Sequence, residues 1–430
     1  MSKTERGLAE ESEKRFVGFI DRIGRIIDKG TEKLYDYCSA LCLDVGERKS
    51  MEPIAATTAP DRVSAQHQAI QHFVSNSAWD DEAVLAEVRD YAIPAITKHA
   101  PVAVWITDDT GIPKKGKHSA GVGHQYCGQL GKRANCQVAV TLSVANEHAS
   151  LPIAYRLYLP EDWLGDVERC ERAGIPAQIP FETKPHIALK QIRAALDAGV
   201  PRGTLICDAG YGNDAAFRDQ LTEWSVPYAV AVQGTTTVWP ADGTPLVPVT
   251  PSKNTTKRPK EDQYPRPMSV KELAMQLPKK CYRTIEWREG TKETLRSRFA
   301  TVRVRAAHGN LDRDEEWLLI EWPLDKDEPE RYWLSTLSRS MTMKKIVQTV
   351  QLRWRIERDF QELKSEFGLN HFEGRNWRGF HHHATLCIAT YAFLAAERAS
   401  FSPSARIAFA ASCVSRDYRR RGTPHHRSKT

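Results

Sequence analysis

QLRWRIERDFQELK, residues 351–364, lies inside a longer helical pattern from about Met343 to Phe367, with no Gly or Pro within it and Gly368 placed as a C-cap stop. Turning the chain by roughly 100° per residue puts Met343, Ile346, Val350, Trp354, Ile356, Phe360, Leu363 and Phe367 on one broad apolar arc. Arg355, Arg358, Asp359, Glu362, Ser365 and Glu366 fall opposite, toward water. Arg353, Glu357 and Lys364 do neither. They form a charged stripe, within about 40°, down the middle of the apolar arc. A charge taken out of water is costly unless something pairs with it. One reading is an internal i,i+4 ion pair between Arg353 and Glu357, although Arg before Glu is the poorer order for such a pair. The other is that Glu357 faces a pocket holding a metal ion while Arg353 and Lys364 face phosphates. The helix alone leaves both open.

The whole chain, at 430 residues, is long enough for two or three domains with a real core. Its hydrophobic fraction of 41% is that of a soluble protein, and no apolar run approaches membrane-spanning length. The opening MSKTERGLAEESEKR is too polar for a signal peptide, so a cytoplasmic, nucleoid-associated protein is expected. Nine dispersed cysteines without a CxxC suit reduced thiols, not a disulfide framework or zinc site. The net charge of +7 is modest, but basic residues gather at Lys114–Lys117, Lys132–Arg133, Lys257–Lys260 and Arg416–Lys429. Several such clusters favour a polyanionic partner over plain solvated surface.

Residues 1–100 read as a helical lobe, either a packing module or a DNA-end-binding domain. At Val102 the pattern changes: VAVWIT is a buried strand running into Asp108 and Asp109, followed by a Gly- and Lys-rich loop. Strands are expected at 135–145, 151–159, 204–207 and 228–232, with helices at 185–198 and 215–224. Asp208 ends the fourth strand. This is a mixed α/β core with carboxylates at strand ends, where such sheets place their sites. Residues 234–340 interrupt it as a mostly β insertion whose start, 235–267, is irregular. The core resumes over 341–400, closing with an apolar helix at about 380–396. The basic tail 401–430 is expected to be disordered.

Asp109, Asp208 and Glu357 are far apart in the chain. Three carboxylates converging on one point repel unless divalent cations sit between them, and all-oxygen ligands suit Mg²⁺ or Mn²⁺. Two such ions about 3.5–4 Å apart activate a nucleophile and stabilise the leaving oxygen in phosphoryl transfer. Taken singly, each Asp reads equally as a turn cap; taken with the buried-face Glu357, the metal reading is the stronger.

In three blocks the chain resembles the DDE transposases of bacterial insertion sequences, which have a ribonuclease-H-like core. DDTGIPKKGKHSAGVGHQYCGQLGKRANCQVAV looks like the block with the first catalytic Asp, LICDAGYGN like the second, and RWRIERDFQELK like the helix with Arg, Glu and Lys at R-(3)-E-(6)-K spacing, here Arg353, Glu357 and Lys364. The resemblance covers roughly residues 15–400. It implies metal-dependent nicking of double-stranded DNA at the terminal inverted repeats, attack of the freed 3′-hydroxyl on the opposite strand or on target DNA, and a homodimer or larger assembly that synapses two ends. Arg353 and Lys364 would hold phosphates, as would Lys114, Lys115 and Lys117 after the first acid. Relatives carry a Tyr three residues before the Arg; here it is Val350, so a hairpin intermediate is not carried over.

Asp109-Thr110 matches the Asp-Thr pair of the resemblance, but Asp108 is adjacent, and strand alternation points the two to opposite faces. His381–His383 read better as solvent- or DNA-facing than as metal ligands. Trp287, Trp317 and Trp322 read better as core than as platforms for an unpaired base. The rival functions are a metal-dependent nuclease without strand transfer and a non-catalytic DNA-binding regulator.

Overall fold

The computed structural model describes residues 3–27, 30–43, 48–241, 267–289, 294–308 and 313–400. The basic tail, the cluster at 257–260 and the supposed irregular stretch after 241 therefore lie outside the described residues.

Five helices open the chain: α1 (Lys3–Ile27), α2 (Thr31–Cys42), α3 (Met51–Thr58), α4 (Val63–Ser75) and α5 (Asp81–Ile96). Asp80 starts α5 by accepting from the backbone N–H groups of Glu82 and Ala83. Strands β1 (Val104–Pro113), β2 (Gly123–Cys127), β3 (Lys132–Ala145) and β4 (Ser150–Leu157) follow. Two short helices, α6 (Glu161–Leu164) and α7 (Val167–Arg172), lead to α8 (Lys184–Asp197). Then come β5 (Thr204–Cys207), α9 (Ala209–Gly212), α10 (Ala215–Glu223) and β6 (Tyr228–Val232).

The core strands lie in the order β4-β3-β1-β5-β6, with β1 antiparallel to β3 but parallel to β5, and β5 parallel to β6. This is the ribonuclease-H-like mixed sheet. Val104 and Ile106 are buried and central, since the parallel strands are covered on both faces. Strand β1 does not stop at Asp108 and Asp109; it continues to Pro113 because β3 pairs with it throughout. The acids thus leave β1 where its parallel partner β5 ends, at Cys207. In α9, Gly212 permits close approach to the sheet: a Cβ there would come within 2.0 Å of the Ala231 carbonyl oxygen.

The insertion contains β7 (Thr237–Pro240), β8 (Met268–Ser269), α11 (Val270–Gln276), β9 (Arg283–Glu289), β10 (Thr294–Ala306), β11 (Glu316–Trp322) and β12 (Arg331–Ser335). Strand β7 and helix α11 were not foreseen. Ser269 and Glu272 form a reciprocal capping box for α11. The insertion is no separate sheet: β12 pairs antiparallel with β6, and β11 and β10 follow, extending the core to twelve strands. Trp287, Trp317 and Trp322 are half-buried. Trp287 packs edge-on against Phe299, and Arg303 and Arg298 lie over Trp317 and Trp322.

The long helical pattern at 343–367 is two helices, α12 (Met343–Gln351) and α13 (Trp354–Ser365), broken at Leu352–Arg353. No Gly or Pro marks the break, so periodicity could not show it. Gly368, at φ +68°, ends the run as expected. The last helix, α14 (Trp377–Ser400), is buried nearly all round. It packs among the opening helices, where Phe393 meets Phe16 and Phe19, and the opening helices and α/β core share one continuous apolar interior.

Two assignments of side chains to water are corrected. Asp359 is buried, accepting from the hydroxyls of Ser150 and Tyr391 at 2.7 Å each, and burial pushes its carboxyl up to about 6. His381, His382 and His383 are also buried, not facing solvent or DNA. His383 lies 2.7 Å from the Tyr37 hydroxyl through Nδ1 and 2.9 Å from the Gly368 carbonyl through Nε2. Backbone groups of neighbouring elements serve as partners, which sequence spacing cannot reveal.

Candidate active site

Oxygen atoms of Asp108, Asp109 and Asp208 lie within 4.8 Å of one another. Two come from the middle of β1 and one from the residue after β5, so the parallel register of those strands creates the group. Asp208 is also the N-cap of α9, accepting from Gly210 N–H at 2.9 Å. The turn-cap reading and the acidic-group reading are both true of it.

The two acids of β1 differ in surroundings. Asp108 is the deeper, with 13% of its side chain exposed, and turns toward α13. Arg353 donates to its Oδ2 at 2.6 Å and, through its other terminal nitrogen, to Glu357 Oε1 at 3.1 Å. Burial pushes the Asp108 carboxyl up to about 7; Arg353 opposes this, while Asp208 and Asp109 add to it. Asp109, 24% exposed, makes its ion pair with Lys184 at the start of α8. Arg353, although burial works against its charge, is held firmly protonated by Asp108, Asp208 and Glu357.

Glu357 stands outside the three-acid group. Its side chain is 65% exposed and tied to Arg353, so the i,i+4 pair foreseen in the helix is present. Arg353 is therefore the bridge between the late helix and the strand acids. Lys364 donates to the Gly111 carbonyl of β1 at 2.8 Å, and burial lowers its pKa. Lys114 donates to the Phe372 carbonyl at 2.7 Å, and burial pushes its ammonium down to about 8. Lys115 and Lys117 are exposed on the loop beyond.

Lys184 escaped the sequence reading. One signal was available: a lysine in the first turn of a helix opposes the positive end of the helix dipole, so α8 itself gains nothing from it.

A family model described as DDE superfamily endonuclease matches residues 28–294, more than half the chain. The chain belongs to this family. Among curated proteins, a probable transposase for insertion sequence element IS701 from Microchaete diplosiphon is 30% identical over 200 residues. That alignment covers 46% of this chain and 48% of the relative, so the chain spans about half the length of the curated relative it matches. The matched family region of this DDE endonuclease-family protein includes both β1 acids, Asp208 and Lys184 but stops short of Glu357. No helix among its described residues is long and apolar enough to cross a membrane.

Proposed function

We propose that this protein is an insertion-sequence transposase: it cuts double-stranded DNA at its element's terminal inverted repeats and joins the freed 3′-hydroxyl to target DNA. The observation that carries the reading is the convergence of Asp108, Asp109 and Asp208, with Arg353 clamped between Asp108 and Glu357. Membership of the DDE endonuclease family and likeness to a probable transposase support it.

The residues fit a divalent cation. All the donors in the group are carboxylate oxygens, and burial, with Asp208 and Asp109 adding to it, pushes the Asp108 carboxyl up to about 7, a cost that a bound cation would offset. Mg²⁺, with Mn²⁺ as substitute, is the ion such oxygens select, and when bound it supplies charge stabilisation for phosphoryl transfer. Asp208 and the β1 acids hold it in this reading, and Glu357 enters by a change of side-chain rotamer. Asp109 follows from the Asp-Thr match, whereas the shared Arg353 favours Asp108 as the acid that works with Glu357. Arg353, freed from Asp108, turns to a phosphate, and Lys364, Lys114, Lys115 and Lys117 take further phosphates in this reading. A homodimer or larger assembly, needed to bring two ends together, completes the proposal.

The test is a cleavage and joining assay with Mg²⁺ on labelled duplexes carrying the repeats that flank the gene. Wild type should give nicked ends and strand-transfer products. Glu357→Gln and Asp208→Asn should give neither, with end binding intact. Nicks without joining would leave a nuclease, and binding without nicks a regulator.

A further inference from the structure

Each β1 acid has its own cation. Asp108 takes Arg353, the residue just before α13; Asp109 takes Lys184, the first residue of α8. Lys184 has no other carboxylate partner among the described residues; its ammonium lies 5.7 Å from the centre of the Tyr158 ring, which leaves Asp109 as its ionic contact. It is only partly buried, with 28% of its side chain exposed, so the same ammonium can reach either Asp109 or a ligand arriving from solvent. Thr183 caps α8 by accepting from the His186 N–H and fixes where the lysine leaves the helix.

We propose that Lys184 is a positioning residue of the acidic site: it occupies Asp109 while no divalent ion is bound, and when ion and DNA arrive it releases the carboxylate and takes a phosphate oxygen of the DNA. The inference rests on reading the acidic group as a divalent-cation site. Two positive charges cannot both hold one carboxylate closely without repelling each other, so ion and ammonium compete for Asp109. A DNA phosphate beside the site is the acceptor that compensates the displaced ammonium.

The test uses the full chain. Mn²⁺ alone is titrated into wild type, Lys184→Met and Lys184→Arg, and binding of an end-sequence duplex is then measured in Ca²⁺ over a range of salt. Removing the competing ammonium should tighten Mn²⁺ binding roughly fivefold in Lys184→Met. The same variant should lose about 0.9 from the slope of log affinity against log salt, the share of one phosphate contact. Lys184→Arg should restore that slope. Lys184→Gln serves in the same way should the methionine variant not fold. Unchanged or weaker Mn²⁺ binding with an unchanged slope makes Lys184 a structural ion pair and overturns the inference while leaving the metal site standing. Absence of Mn²⁺ binding to folded wild type overturns both.

Discussion

Helices α13 and α14 carry polar residues among apolar ones, and they resolve them in opposite ways. On α14, three consecutive histidines are buried against groups of their own chain: Leu157 N–H and the Trp377 carbonyl for His381, the Val74 and Trp79 carbonyls for His382, Tyr37 and the Gly368 carbonyl for His383. Burial pushes His382 and His383 down to about 4; the neutral His383 ring takes the Tyr37 hydroxyl on one nitrogen and donates to Gly368 from the other, whereas a neutral His382 donates to only one of its two carbonyls at a time. At the start of α13, Arg353, its N-cap residue, and Glu357, in its first turn, pair with charges and keep one side open to water. A polar residue on an apolar face therefore signals function only when its partners are charges at an accessible surface.

Substitutions sharpen that contrast. Glu357→Gln, on the α13 side, should drop DNA cleavage below detection while the thermal unfolding midpoint stays within a degree or so of wild type, because an exposed i,i+4 pair contributes little stability. His383→Ala should behave in the reverse way. Leaving the Tyr37 hydroxyl and Gly368 carbonyl unpaired and opening a void should cost about 2–4 kcal/mol in chemical denaturation, with cleavage per folded molecule preserved. Loss of cleavage without loss of stability in that variant would break the contrast.

Asp359 and the histidines also separate by pH. The Asp359 carboxyl is raised in the fold, so its contribution favours the folded state below the ordinary Asp range and is lost as pH rises through about 6. Asp359→Asn should consequently raise stability at pH 8 by about 1–2 kcal/mol and change it little at pH 4. His382 and His383 are lowered, so they favour the fold above about pH 6.5 and lose that contribution as pH falls toward 4. Stability curves of Asp359→Asn and His383→Ala should therefore depart from wild type at opposite ends of the pH range. The smallest effect belongs to the exposed loop: Lys115→Ala and Lys117→Ala should each lower the salt slope of DNA binding by about 0.9 with folding unchanged.

Much of this was legible in the sequence. Buried apolar runs located nearly every core strand, since strands covered on both faces read as continuous apolar segments. Of the three acids expected to converge, Asp109 and Asp208 do lie together, with Asp108 beside them, whereas Glu357, placed on the buried face by its periodicity, is exposed and outside the group. Long-range partners were not legible. Periodicity cannot tell that Asp359 finds Ser150 and Tyr391, that three histidines meet backbone groups, or that Lys184 pairs with Asp109. Nor could it show that β12 joins β6, because strand pairing across 100 residues depends on tertiary packing.

The central claim is that the carboxylates of β1 and of Asp208, just after β5, hold a divalent cation. Anomalous diffraction from crystals grown with Mn²⁺ tests it directly. The account predicts a peak coordinated by Asp208 and at least one of Asp108 and Asp109, with Glu357 turned in from solvent and the peak lost in Asp208→Asn. A peak elsewhere, or an unfilled group with Arg353 and Lys184 still on their carboxylates at saturating Mn²⁺, would contradict it.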